Sequence, residues 1–519
     1  MSKQVAPITA PVDRQLSRRL AGVFRVFLVA LVVGAQVGIV IFLVRMMQEQ
    51  AVFLYFAIQI ISVIDIFLLS AKRQNASFTM AWVLLILLLP VTGHLLYVLW
   101  GRRDKHRRMR RTLARTNPFL AKDPAIYQAL SETHPRRKRL GGYLGRMGFP
   151  VYRNTACTYY PLGEEQFRAM LADIEGAERF VFLEYFILSD GRLWREFREV
   201  LARKAKAGVE VRILYDDLGS LFTAPRGLDE DLKGLGIQAL RFNPIHYSTS
   251  RLYINYRNHQ KICVIDGEIA YTGGTNLADE YANYTAKFGH WKDTAVRLTG
   301  DAVWSMTVFF LQMWEAQTNS QQDFLKYRPT RPGEAAPGFY QPFIDGPMNN
   351  PDTPAEISYR SVINTAREYV YIMSPYLIID NTMVDALSTA ALGGTDVRII
   401  TPHVWDKWFV HMATQSNYAP LLRAGVRIYE YAPGYIHAKT ILSDDDHCIT
   451  GSINMDYRSF YLHYENAVWI CGAPVIADIR ADFDATFPQC MEIDAEQWAK
   501  RPLYRKLLQG FFRIFAIFL

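Results

Sequence analysis

Long apolar runs fill the first hundred residues, and shorter ones alternate with polar stretches after that. Three runs come first: Val26 to Val44, Ala51 to Leu69 and Phe78 to Trp100, of 19, 19 and 23 residues. Each is long enough to cross a hydrocarbon core as a helix, so residues 1–100 are expected to hold an N-terminal tail and two to three transmembrane helices. Trp82 and Trp100 suit the headgroup level, Pro90 predicts a kink, and Gly93 permits close helix packing. Asp65, inside the second run, reads either as a functional intramembrane carboxylate or as a packing residue with a partner. Arg25 and Gln36 leave the topology of the first run open.

Beyond Trp100 the pattern changes twice. Seven Lys/Arg crowd the segment Gly101 to Arg111, which predicts a cytoplasmic exit and attraction to anionic lipid. Three full crossings then put the tail outside despite Lys3, Arg14, Arg18 and Arg19; the denser cluster decides the expectation. The predicted location is the cell membrane, multi-pass, with everything after Arg102 in the cytoplasm, a basic juxtamembrane linker (101–150) coming first. From residue 151 onward, β-rich runs alternate with helical ones, the pattern of an α/β sheet.

That pattern occurs twice. Arg179 to Leu188 reads as a strand, Leu193 to Ala207 as a helix ended by Gly208, and Val209 to Tyr215 as the next strand. Tyr369 to Pro375, Met383 to Leu392 with Gly393-Gly394, and Asp396 to Ile400 repeat the order. The division expected is 151–330 and 355–500 for the halves, a linker at 331–354 between them, and a terminal segment 501–519. The repeat is sharpest at His259-Gln-Lys261 with Asp266, Gly273 and Asn276, and at His437-Ala-Lys439 with Asp444, Gly451 and Asn454. The offsets of +2, +7, +14 and +17 from each His are identical.

Each His and Lys pair sits two apart on an expected strand, so both side chains share a face. Asp266 and Asp444, at odd spacing, fall where Asp266-Gly267 and Asp444-Asp445 look like hairpin turns, which suggests turn-fixing more than contact with substrate. If the halves pack about a pseudo-two-fold axis, two imidazoles, two ammonium groups and the carboxamides of Asn276 and Asn454 converge. That set suits a phosphodiester. Lys and Asn donors stabilise its oxygens without a metal, one His attacks phosphorus, and the other protonates the leaving oxygen. Sequence symmetry leaves open which His does which.

These motifs resemble those of the phospholipase D superfamily, and within it the chain is most similar to bacterial cardiolipin synthases. The similarity extends to Gly273-Gly-Thr-Asn-Leu-Ala-Asp-Glu-Tyr281, Trp291-Lys-Asp-Thr294 and Asn454-Met-Asp-Tyr-Arg-Ser-Phe460. It implies two tandem α/β units meeting at one active site with His259, Lys261, Asp266, His437, Lys439 and Asp444 as the catalytic set. It implies His259 as nucleophile and His437 as acid/base, with an acidic residue downstream of each motif holding the other ring nitrogen: Asp293 in the first half, Glu465 in the second. Gly274 stands where the second half has Ser452, so the half-sites are not equivalent. The implied reaction joins two phosphatidylglycerol molecules into cardiolipin and glycerol. Hydrolytic phospholipase D, phosphatidylserine synthesis, a nuclease and an idle membrane scaffold are the alternatives.

Composition adds limits. With 21% charged residues, 32 Gly and 24 Pro in 519 residues, the chain is neither disordered nor collagen-like. Five Cys without paired spacing predict reduced thiols, and no cofactor or metal is expected. His246, His290, His403, His411, His447 and His463 read as structural, and Cys263 as a buried inert thiol. The segment Leu503 to Leu519 combines Arg505, Lys506 and Arg513 with dense apolar residues, as expected of a helix in a membrane interface; a helix docked on the core is the alternative. The expected partners are phosphatidylglycerol and anionic membrane lipids, not nucleic acid, with a homo-oligomer possible.

Overall fold

The computed structural model describes residues 49–71, 75–98, 112–113, 117–244, 255–349 and 352–516, with a few positions between 34 and 42. Most of the first apolar run and the Gly101 to Arg111 cluster lie outside the described residues. The chain divides into two compact units, Met1–Lys105 with Ile245–Tyr253, and His106–Pro244 with Ile254–Leu519.

In the N-terminal unit, helices span Glu49–Ser70, Ala76–Leu88 and Pro90–Leu96. Among the described residues no helix is long and apolar enough to cross a membrane. This departs from the expectation of transmembrane helices, and the third run shows one reason. Leu89 leaves helical geometry at φ −131° and ψ 73°, because the ring of Pro90 disfavours a helical residue before it, and the 23-residue run is cut in two. Asp65 is buried and faces His94.

The second unit holds both halves. In the first sheet the strands lie in the order Thr155–Tyr160, Ala295–Gly300, Ile269–Gly273, Ile262–Ile265, Phe180–Tyr185, Glu210–Asp216, Gln238–Phe242. In the second the order is Phe339–Asp345, Glu465–Cys471, His447–Gly451, Thr440–Ser443, Tyr369–Met373, Asp396–Pro402, Arg427–Tyr431, with Cys490–Glu492 added at the edge. The first seven correspond strand for strand, so the duplication seen in sequence is a duplication of fold. Helices cover the sheets with apolar stripes: Arg192–Lys206 buries Leu193, Trp194, Phe197 and Leu201 at one-face spacing. Gly208 then turns the chain with φ 93°, a left-handed conformation that costs glycine little.

The stretches read as linkers are partly folded. Helices Pro124–Thr133 and Lys138–Arg146 bury Leu130, Leu140 and Leu144, and Phe339–Asp345 is an edge strand of the second sheet. Arg137 is buried among these elements and donates to Asp444, Asp446 and Thr365 of the second half. Its charge explains the choice: a guanidinium can satisfy three acceptors that an apolar residue would leave bare.

Candidate active site

The two motifs lie just before their strands. His259 and Lys261 precede Ile262–Ile265, and His437 and Lys439 precede Thr440–Ser443. The backbone here turns away from its own sheet to pair across the halves. His259 N donates to Tyr464 O at 2.9 Å, and His437 N donates to Lys292 O at 2.7 Å. Tyr464 precedes Glu465 and Lys292 precedes Asp293, so the two crossings are equivalent. Alternation does the rest in the first half: Asn258 and Gln260 turn to the buried Glu184 (2.6 and 3.2 Å), while His259 and Lys261 turn to the partner half.

The acidic partners are exchanged between halves. Nδ1 of His259 lies 2.9 Å from Oε1 of Glu465, and Nδ1 of His437 lies 2.6 Å from Oδ2 of Asp293. The family resemblance implies that each acid serves the motif upstream of it; the packing pairs each with the other motif. Ser452 and Ser459 both donate to Glu465. Gly274 occupies the position equivalent to Ser452, and a Cβ there would overlap Oδ1 of Asp293. The missing hydroxyl is thus the condition for the acid of that half-site to fit.

Lys261 Nζ donates to the His259 carbonyl at 2.7 Å, and Lys439 Nζ lies 2.8 Å from Nδ1 of His437 while also donating to its carbonyl. Asn276 donates to Tyr281 Oη and accepts from Ile187 N, whereas the buried Oδ1 of Asn454 has no hydrogen-bond partner among the described residues. Both asparagines and both histidines line a cavity of about 570 Å³. Its walls are aromatic: Phe186 lies 5.1 Å from the His259 ring, and Tyr281 and Trp291 lie 5.3 and 5.5 Å from that of His437. Arg257, Arg458, Lys287 and Lys407 also face it.

Asp266 and Asp444 do not join this group. Asp266 accepts from the N–H groups of Glu178, Arg179 and Phe180, each at 2.8 Å, and Asp444 from those of Arg367, Glu368 and Tyr369. Both lie in left-handed turns, at φ 56° and 54°. Each aspartate pins the entrance of its half's central strand, which removes it from the set that touches substrate.

Sequence reasoning missed His463. It is buried, lines the cavity, stands 5.5 Å ring to ring from His259, and among the described residues neither of its ring nitrogens has a hydrogen-bond partner. The signal lay in spacing: His463 is two residues before Glu465, as Trp291 is before Asp293, and each flanks the His its acid holds. His259, His463 and Glu465 offer atoms within 4.8 Å of one another, near enough for a metal ion. The donor set argues against one, since Glu465 is already shared by two hydroxyls and an imidazole, with the Lys261 ammonium acting on it.

Burial sets the charges. His259 is pushed well below the ordinary imidazole value by burial, with Lys261 adding to the effect. Burial and Lys439 lower His437 to about 4, although Asp293 opposes the shift. Lys261 falls to about 7 and Lys439 to about 8, both chiefly through burial. Burial lifts Glu465 well above the usual carboxylate range, against the pull of Lys261, Ser452 and Ser459. Both histidines are therefore neutral at pH 7. Assigning each Nδ1 proton to the bond with the acid leaves Nε2 as the nitrogen available to a substrate.

Comparison with known proteins places this constellation. Residues 170–287 and 359–487 match the family described as cardiolipin synthase, PLD-like domain, and residues 57–102 match the phospholipase D-nuclease N-terminal family. Cardiolipin synthase 2 of Bacillus cereus is 33% identical over 86% of this chain and 87% of its own length. The chain belongs to the phospholipase D-like cardiolipin synthase family. An uncharacterised protein of Streptococcus mutans, 40% identical over 85% of this chain and 96% of its own, is a further relative. The phosphatidylserine synthase of Haemophilus influenzae shares the fold, with a TM-score of 0.57 at 15% identity, covering 74% of this chain and 99% of that one. In this family member, then, one site is assembled from both repeats.

Proposed function

We propose that this protein is a cardiolipin synthase, a phosphatidyltransferase that makes cardiolipin and glycerol from two molecules of phosphatidylglycerol. Relatives named cardiolipin synthase, similar over most of their length, support the activity. The observation that carries the chemistry is the crossed pair of His–acid contacts in one cavity, which gives two imidazoles held for action on a single phosphorus.

In the first step Nε2 of His259 attacks phosphorus. The bond to the glycerol oxygen breaks, and His437, which takes up a proton at Nε2 as the anionic phosphate binds, passes that proton to the oxygen, leaving phosphatidyl-His259 and free glycerol. In the second step His437 takes the proton of a hydroxyl on another phosphatidylglycerol. That oxygen attacks phosphorus, the P–N bond breaks, and cardiolipin leaves. The unequal pull on the rings supports the assignment: burial lowers both, but Asp293 works against it at His437, which suits that ring to the acid/base role and His259 to the nucleophile's. An incoming phosphate restores charge to Lys261 and Lys439, whose ammonium groups then balance the charge developing on its oxygens. His463 is a further donor for phosphate or glycerol. The aromatic walls limit water, which favours transfer to an alcohol over hydrolysis.

Attachment to the cell membrane is part of the proposal. Phe53, Phe67 and Leu88 of the N-terminal unit are 80%, 71% and 75% exposed, and such surfaces suit lipid better than water. The cationic Gly101 to Arg111 segment supports a cytoplasmic catalytic unit. The deciding experiment is mass spectrometry of lipids after incubating the full-length protein with phosphatidylglycerol liposomes. Cardiolipin with an equal amount of glycerol supports the reading; phosphatidic acid alone replaces it with a hydrolase.

A further inference from the structure

The last helix, Leu503–Ile514, is docked the wrong way round for a water-soluble protein. Its one buried side chain is polar: Gln509 is 2% exposed, donates to Gln415 at 3.3 Å and accepts from Arg501 at 2.9 Å. Leu503, Leu507, Phe511 and Ile514 recur at helical spacing on the opposite face and are 71%, 65%, 53% and 53% exposed. Only Phe512 reaches inward among the aromatics, 5.1 Å from Trp408 and 6.4 Å from Phe409.

That contact leads to the active site. Phe409 and Val410, on the helix Trp408–Ser416, line the catalytic cavity, as does Lys407 before them. Trp408 and Trp405, interleaved in the chain with the lining residues Asp406, Lys407 and Phe409, are 48% and 50% exposed. The terminal helix is therefore packed against the element that forms one side of the cavity mouth. Charge is one-sided: from Arg501 to Leu519 the chain has Arg501, Arg505, Lys506 and Arg513, and no acidic residue. Arg505, Lys506 and Arg513 are exposed. A second copy meeting this face about a two-fold axis would oppose like charges, whereas an anionic surface would neutralise them.

We propose that this helix face, with Trp405 and Trp408, is the surface on which the catalytic unit meets an anionic phospholipid bilayer, and that it delivers lipid from the bilayer into the cavity mouth beside Phe409. The inference rests on the lipid-transferase reading above. Leucine and phenylalanine enter the acyl boundary, tryptophans settle at the headgroups, and the cations hold the phosphate layer.

The test uses full-length protein reconstituted in mixed phosphatidylglycerol–phosphatidylcholine liposomes, wild type against Leu507→Asp/Phe511→Asp. Cardiolipin formation from bilayer phosphatidylglycerol should fall about 10-fold or more. Turnover of dihexanoyl phosphatidylglycerol, presented as monomers in detergent-solubilised samples, should stay within about two-fold. Equal loss on both substrates makes the helix a structural element and overturns the proposal, as does no loss on either. A wild-type dimer that the double variant dissolves, seen by sedimentation, assigns the face to a second copy instead. Brominated lipids give an independent reading, because they should quench wild-type fluorescence more than that of Trp405→Phe/Trp408→Phe; equal quenching refutes bilayer contact at this rim. If wild-type protein forms no lipid product from either substrate, the transferase reading itself has failed, whatever the helix does.

Discussion

Glu465, at the start of a strand in the second repeat, holds Nδ1 of His259 in the first at 2.9 Å. The reciprocal contact joins Asp293 to His437, so each repeat supplies the imidazole of one half-site and the carboxylate of the other. Neither repeat contains a complete catalytic pair.

The crossing assigns distinct phenotypes. Glu465→Gln disturbs the nucleophile, so no covalent phosphatidyl-enzyme should form and turnover should fall by about 10² to 10⁴. Asp293→Asn disturbs His437 instead. It should slow turnover comparably while leaving a trapped phosphatidyl-His259 detectable by intact-protein mass spectrometry after acid-free quenching. A trapped adduct in the Glu465 variant and none in the Asp293 variant reverses the roles of the two histidines.

The Gly274/Ser452 asymmetry gives a second pair of variants. Gly274→Ser places a Cβ on Oδ1 of Asp293 and should displace that carboxylate from His437, reducing turnover by about 10²-fold, with a stability loss of about 1–3 kcal/mol from overpacking. Ser452→Gly removes one of the two hydroxyls on Glu465 and should be milder, with a stability change of about 1 kcal/mol. Thermal unfolding and initial rates on the same preparations check both.

Much of this was legible in sequence because it is local. The His, Lys, Asp, Gly and Asn offsets and the strand–helix–strand repeats depend on residues near one another in the chain, and the corresponding strand orders follow from them. The crossing was not legible. It depends on backbone pairing of His259 with Tyr464 and of His437 with Lys292, which only packing of the halves creates. His463 was hidden for the same reason, since the ring it flanks is about two hundred residues away. The orientation of the terminal helix was half legible: composition shows its amphipathic character, but which face is inward depends on Gln415 and Trp408.

Asp266 and Asp444 should behave as anchors. Asp266→Ala strips the acceptor from three N–H groups of residues 178–180 and should destabilise the catalytic unit by about 2–3 kcal/mol. Turnover measured well below the unfolding transition should fall far less than in His259→Ala. A loss of turnover equal to that of His259→Ala, with stability unchanged, would return Asp266 to the catalytic set.

The lysines give the pH prediction, and its sign follows from which form each state prefers. Burial lowers Lys261 to about 7 and Lys439 to about 8, below the ordinary ammonium value, so the free site loses positive charge as pH rises through that range. A bound anion favours the charged lysines and raises both values, so binding takes up protons above pH 7 and weakens as pH increases. Sulfate is a suitable probe because its own charge is constant over the interval. Its affinity for the full-length protein, measured by calorimetry, should be highest near pH 6.5 and fall by about 10-fold or more by pH 9. The proton uptake, read from the dependence of the binding enthalpy on buffer ionisation, should rise across the same range. Affinity independent of pH with no uptake would mean that the lysines stay charged in the free enzyme, and that Glu465, Asp293 and the neighbouring Asp216 and Asp456 hold the cations against burial.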